Sequence, residues 1–180
     1  MTMRKTFAYS SATVLAVAAL IACTPPDRAA AEPAGFPDLN AYSEVSVDQY
    51  VSAAGRGMTS VFFSTAEGVN CGFGHPANPD GRNQLIQCWG PLPGLQDIAA
   101  EGSGPCDAGT VNQFGTKYAI GHTKGACKDN RPTSKVLSPG QKVSYGNVTC
   151  GVGDGGSVAC IERVNPERGF VLQPSGSFAF

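Results

Sequence analysis

The sequence has no G-x-S-x-G elbow, no Walker A element and no dinucleotide fingerprint set in a strand-turn-helix unit. An α/β-type serine hydrolase and a phosphate-cradling P-loop protein therefore have no support. Gly55-Arg56-Gly57 is too short to count as a phosphate loop. Its cysteines never form a C-x-x-C pair, so the close thiolates of a zinc site are missing. The GVGDGGS stretch around Asp154 lacks the spaced carboxylates of a calcium cage and reads as a hairpin turn. No metal and no cofactor is expected. Beyond residue 55 no window carries long helical periodicity, which argues against a helix bundle.

Charge is also scarce on the basic side. The formal net charge is −1, and Arg4 and Lys5 lie in what reads as a removable leader, so the mature protein is mildly acidic. Bulk nucleic-acid binding is not expected.

What is present begins at the N-terminus. Arg4 and Lys5 precede an apolar stretch through Val14, Leu15, Val17 and Leu20 with no charge before Asp27, the pattern of a secretory signal peptide. Dilution by Thr6, Tyr9, Ser10, Ser11 and Thr13, and the break at Pro25-Pro26, make it a poor membrane span. It ends in Leu20-Ile21-Ala22-Cys23, which resembles the bacterial lipobox, where a thiol at the membrane surface takes diacylglycerol before cleavage on its amino side. Ordinary cleavage after Ala29-Ala30-Ala31 is the rival, as is Cys23 serving as one more apolar residue of the leader. The lipobox is preferred because ordinary cleavage requires a long c-region holding a cysteine, two prolines and two charges. The expected organisation is a signal peptide over 1–22, a lipidated Cys23 with a Pro/Ala-rich tether to residue 35, and one domain over 36–180.

Cysteine parity supports the same division. Of seven cysteines, assigning Cys23 to lipid leaves Cys71, Cys88, Cys106, Cys127, Cys150 and Cys160, an even set outside the reducing cytosol. An internal echo suggests how they pair. GVNCGF at 68–73 followed by LIQCWG at 85–90 is answered by GNVTCGV at 146–152 and SVACIE at 157–162. Each set reads as a β-hairpin whose arms set two thiols across from one another, giving Cys71–Cys88 and Cys150–Cys160. Gly151, Gly153, Gly155 and Gly156 supply tight-turn conformations in the second. Cys106 and Cys127 remain, bracketing a strand pair around Gly115 and Gly121. Each closed loop is worth about 3 kcal/mol in the chain-entropy description.

With short apolar runs at VFF 61–63, YAI 118–120 and VLQ 171–173, the expected fold is all-β, a small disulfide-stapled sandwich or barrel built from hairpins. The one helical expectation lies in FPDLNAYSEVSVDQYV at 36–51, where Ser46 and Gln49 suit a capping box.

Few residues suggest chemistry. His75 precedes Pro76 in a loop, His122 sits in a GHTKG turn, and Ser103 in GSGP reads as a flexible turn. Trp89 and Tyr118 suit a sugar-stacking site or, preferably, core packing beside a cystine. Lys117, Lys124, Lys128, Arg131, Lys135 and Lys142 fall in a window whose one acid is Asp129, and suit either a basic face toward anionic lipid or scattered solvent positions, the second being preferred.

From about Phe36 to Phe180 the chain resembles a group of exported six-cysteine proteins of mycobacteria and related actinobacteria. The residues that carry the resemblance are FSTAEGVNCGF, QCWGPLPG, GACKDN, VLSPG, VTC, VAC and the closing GFVLQPSGSFAF. Where such proteins often show a histidine between two glycines, Glu167-Arg168 precede Gly169-Phe170 here. The resemblance implies export and cystines but imports no catalytic role. The expected protein is thus a cell-envelope lipoprotein on the outer face of the cytoplasmic membrane. It would be a non-enzymatic binding or structural module for an envelope lipid, glycan or protein. A released, non-lipidated form and an envelope hydrolase using His75 or His122 are the alternatives.

Overall fold

The computed structural model describes residues 33–54, 58–74, 84–129 and 131–180; the leader, Cys23 and His75 lie outside them. Short strands separated by glycine-bearing turns pair into two sheets. In chain order the strands are β1 (Ser43–Glu44), β2 (Val51–Ala54), β3 (Met58–Ser64), β4 (Asn70–Gly74), β5 (Gln87–Gly90), β6 (Ala100–Glu101) and β7 (Cys106–Phe114). They continue as β8 (Lys117–Gly125), β9 (Gln141–Tyr145), β10 (Val148–Val152), β11 (Val158–Glu162), β12 (Arg168–Leu172) and β13 (Phe178–Ala179). One sheet runs β1-β9-β10-β11-β12-β13 and the other β2-β3-β4-β5-β7-β8-β6. Pairing is antiparallel except where the short strands β1 and β6 lie parallel to β9 and β8. The all-β expectation holds.

Strand alternation decides which side chains meet between the sheets. Val61, Phe63, Cys71, Phe73, Cys88 and Val111 from one sheet share a core with Val143, Cys150, Val158, Cys160, Phe170 and Leu172 from the other. Removing such side chains from water contributes on the order of 1.5–3 kcal/mol each. Both expected hairpin cystines form within this core. Cys71 faces Cys88 and Cys150 faces Cys160 in register, with Cα atoms 4.1 Å apart in each pair. The remaining pair, Cys106–Cys127, also closes. Three disulfides fit an oxidising location outside the cytosol.

All five residues of β11 and of β12 are buried, so the six-stranded sheet is covered on both faces at these two strands. Its outer side chains, Ala159, Ile161 and Val171, pack with Leu39 against Phe36, Tyr42, Phe178 and Phe180. This cover explains why residues 36–51 form no α-helix. The segment instead makes two single 3₁₀ turns, Leu39–Ala41 and Val47–Gln49, around β1, which pairs with Gln141 and Lys142. The Asp38 carboxylate caps the first turn, while Ser46 makes no capping bond and its hydroxyl donates to Asp48. Tertiary pairing and burial outweigh the local capping pattern. Gly151 belongs to the same contact, since a Cβ there would lie 2.8 Å from Leu39 and Tyr42. Of the glycines expected to turn this hairpin, Gly155 and Gly156 have positive φ, at 64° and 71°.

One charged group joins the sheets. Glu162, fully buried on β11, accepts from the Arg168 Nε on β12 at 2.6 Å and from the Tyr118 hydroxyl on β8 at 3.1 Å. Its other oxygen accepts from the Gln84 backbone N–H at 3.1 Å. Burial, and then the adjacent carboxylate, pushes the Tyr118 hydroxyl far above its ordinary range. The hydrogen bond to Glu162 raises Arg168 as well, keeping it cationic. Gln84 is itself buried; its amide donates to the Gly74 and Tyr145 carbonyls and its oxygen accepts from the Asn147 N–H.

Glu162→Gln leaves the buried Arg168 without its anionic partner and is expected to destabilise the oxidised protein by about 3–5 kcal/mol. Tyr118→Phe is expected to cost about 1–3 kcal/mol through the carboxylate's lost donor. Urea unfolding of both variants checks this, and a loss below about 1 kcal/mol for Glu162→Gln contradicts the role assigned to the ion pair.

Candidate functional site

Strand alternation that sends Cys88 inward sends Trp89 outward. Trp89 is 38 % exposed, which corrects the core-packing expectation for it, whereas Tyr118 is buried as that expectation holds. In register Trp89 lies beside Asn70 on β4 and Thr110 on β7, and Thr110 lies beside Gly121 on β8. A row across the outer face of the seven-stranded sheet results. It floors a cleft of about 440 Å³ whose lining also includes Thr123, Ala126, Lys128, Asp129, Arg131 and Thr133.

The wall of this cleft is the segment after β8, and it is fixed at two points. At one, Cys127 is bonded to Cys106 at the start of β7. At the other, Thr133 donates through its N–H and hydroxyl to the Asn70 side-chain oxygen at 3.0 and 2.7 Å, and the Ser134 N–H donates to the Ser64 hydroxyl at 3.0 Å. Ser64 in turn donates to Asn70 at 2.6 Å, and the Asn70 amide donates to the Gly68 carbonyl at 2.8 Å. This polar cluster is satisfied internally, so Asn70 supports the wall and has little left to offer a ligand. Arg131 pairs with Asp129 at 2.7 Å, and the Thr123 hydroxyl donates to the Ala108 carbonyl. Among the described residues the Lys128 ammonium and the Thr110 hydroxyl carry no protein hydrogen bond or ion pair.

The six basic residues of the sequence pattern separate. Lys124, Lys128 and Arg131 lie around the end of the β7–β8 hairpin that bears the cleft, while Lys117 sits at its opposite, tip end, next to the exposed Phe114. Lys135 instead donates to Gln49 and lies over the Tyr50 ring, and Lys142 donates to the Leu39 carbonyl at 2.9 Å beside Glu44. Those last two hold the N-terminal segment to the sandwich.

His122 lies within β8, and the expected turn is absent because its neighbours continue the β7–β8 ladder. Its ring faces away from the row bearing Trp89. Nδ1 lies 2.8 Å from the Ile98 carbonyl and Nε2 lies 2.6 Å from the Asp107 carboxylate. Both partners are acceptors, so the doubly protonated ring satisfies both at once. The Ile98 bond and then the Asp107 bond raise the His122 pKa above its ordinary 6.5, and the same hydrogen bond lowers Asp107 below its ordinary 3.8. Neither nitrogen is open to a substrate. The pair fastens the segment entering β6, whose Ala100 pairs with His122. Ser103 follows in the turn between β6 and β7.

Among the described residues no group of three or more His, Cys, Asp or Glu is placed to hold a metal ion. No described helix is long and apolar enough to cross a membrane. Compared with known proteins, the chain matches no family model, no curated protein and no solved structure.

The three cystines differ in access. Cys71, Cys88, Cys150 and Cys160 are at most 1 % exposed, whereas Cys127 is exposed and Cys106 half-buried. Mild reduction of the folded protein followed by alkylation is expected to label Cys106 and Cys127 alone, as read by peptide mass. Early labelling of either core pair contradicts the burial described.

His122 gives a pH signature. A group whose folded pKa is raised adds stability that is complete below its unfolded value and is lost as pH rises through the folded value. Asp107, lowered on folding, adds stability above its own unfolded value and loses it as pH falls further. The clasp is therefore strongest between about pH 4 and 6.5, the ordinary values of the two groups. NMR titration is expected to place the His122 midpoint above 6.5, with melting temperature falling through that midpoint in the wild type and flattened there in His122→Gln. A midpoint at or below 6.5 refutes the doubly bonded ring.

Proposed function

We propose that this protein is an exported cell-envelope lipoprotein, anchored through Cys23, whose domain is a non-enzymatic module that binds an envelope component in the Trp89 cleft. The observation that carries the binding half is an exposed tryptophan on a cystine-braced sheet, facing a wall held by a third cystine. Rigid scaffolds that present concave, partly aromatic sites are suited to recognition without chemistry. The engagement of both His122 nitrogens speaks against that histidine as a general base. The anchoring half is supported by Leu20-Ile21-Ala22-Cys23 and by the even set of cysteines that remains. The resemblance to exported actinobacterial six-cysteine proteins fits the same address.

Anchoring is tested by the intact, non-reduced mass of the exported protein beside its Cys23→Ala variant. The expected chain begins at Cys23, carries a diacylglyceryl increment that the variant lacks, and is short of six hydrogens through its disulfides. An unlipidated chain beginning at Glu32 moves the address from the membrane face to the extracellular medium.

A further inference from the structure

Three features of the cleft narrow what it accepts. Its floor presents one indole, and the electron-rich face of an indole attracts the polarised C–H groups on the flat side of a sugar ring. Trp89 is positioned for this because Cys88, its neighbour on β5, is fixed inward by its bond to Cys71. The volume, about 440 Å³, falls in the range of small-ligand sites, ~300–1,000 Å³.

The polar groups narrow it further. Thr110, next to Trp89 in the cross-strand row, keeps its hydroxyl free of protein partners and is suited to a sugar hydroxyl. Four charged residues line the cleft, Asp107, Lys128, Asp129 and Arg131, and Asp107 is engaged by His122 and Lys124. Arg131 is matched by Asp129 at 2.7 Å, which leaves Lys128 as an exposed cation without a protein partner.

Resting on the binding reading above, we infer that the cleft takes an acidic saccharide, a pyranose ring stacked on Trp89 whose anionic substituent is held by Lys128. The anion is a carboxylate, as on a uronic acid, or a phosphate ester. Thr110 meets a ring hydroxyl.

Trp89 is the sole tryptophan, so its emission reports on the site directly. The test titrates the mature lipidated protein in detergent with an oligogalacturonate, with its neutral methyl ester, with glucose 6-phosphate and with adenosine monophosphate. Calorimetry of the same series covers Trp89→Ala. A saturable emission change is expected with the oligogalacturonate or with the sugar phosphate, whichever bears the preferred anion. The methyl ester is expected to bind about ten-fold more weakly than a preferred oligogalacturonate, as for loss of one charge-assisted contact. Lys128→Gln is expected to lower the acid's affinity to that of the neutral ring without altering the melting temperature, and Trp89→Ala to remove binding of both.

Equal affinity for acid and ester, an unchanged acid affinity in Lys128→Gln, tighter binding of the nucleotide than of either sugar acid, or no binding at all overturns the inference. Co-sedimentation of the non-lipidated Cys23→Ala protein with isolated cell envelopes, where no anchor can carry it, separates this from failure of the broader reading. A Cys23→Ala protein that sediments where the same protein bearing Trp89→Ala does not retains the binding module with a different ligand. Equal behaviour of the two removes both.

Discussion

A carboxylate with no exposed surface holds the two sheets in one arrangement. Ionised Glu162 is tolerable between them because Arg168, the Tyr118 hydroxyl and the Gln84 N–H all converge on its oxygens. These donors come from both sheets, and no displacement of one sheet over the other keeps all three. Apolar contacts between the inner faces are stronger in sum but are not directional. The ion pair adds direction to a core that cohesion alone leaves free to slide.

That fixation reaches the cleft through a few covalent steps. Gln84, bound to Glu162 through its backbone and to Gly74, Tyr145 and Asn147 through its side chain, leads directly into Ile86, Cys88 and Trp89. Cys88 is bonded to Cys71 on the neighbouring strand, which sets the face on which Trp89 emerges. The β7–β8 hairpin, joined to the ion pair through Tyr118, carries Thr110 and, beyond its far end, the Cys127 brace and Lys128. The same hairpin receives the His122 clasp on its other face. The cleft is thus carried by the seven-stranded sheet, and the ion pair on the other sheet reaches it through Tyr118 and Gln84.

Much of the scaffold is legible in the sequence because it is local. Two cysteines on the arms of one hairpin, separated by glycine turn chemistry, specify partner and register together, and both such hairpins form as read. The third pair follows from what remains. Position 89 carries an unused signal: once Cys88 is assigned to the interior, a period of two residues sends Trp89 outward. Glu162 and Arg168 carry no such signal. An acid at the end of one strand and a base at the start of the next look like solvent-facing charges, and only the packing of β8 from the other sheet buries them. The capping pattern at Ser46 and Gln49 misleads for a related reason, since Phe36, Leu39 and Tyr42 gain more from lying across Ile161 and Val171 than from helical bonds of their own. Non-local pairing decides each of these cases.

The location of the binding cleft is most directly tested by NMR mapping of uniformly labelled protein with saccharide fragments released from the cell envelope. Shifts are expected to be confined to the Trp89 indole N–H, Thr110 and the Lys128 region, with the six-stranded sheet unaffected. Shifts centred on Phe114 and Lys117 at the hairpin tip, or on the N-terminal cover around Phe36 and Tyr42, with Trp89 unmoved, contradict it.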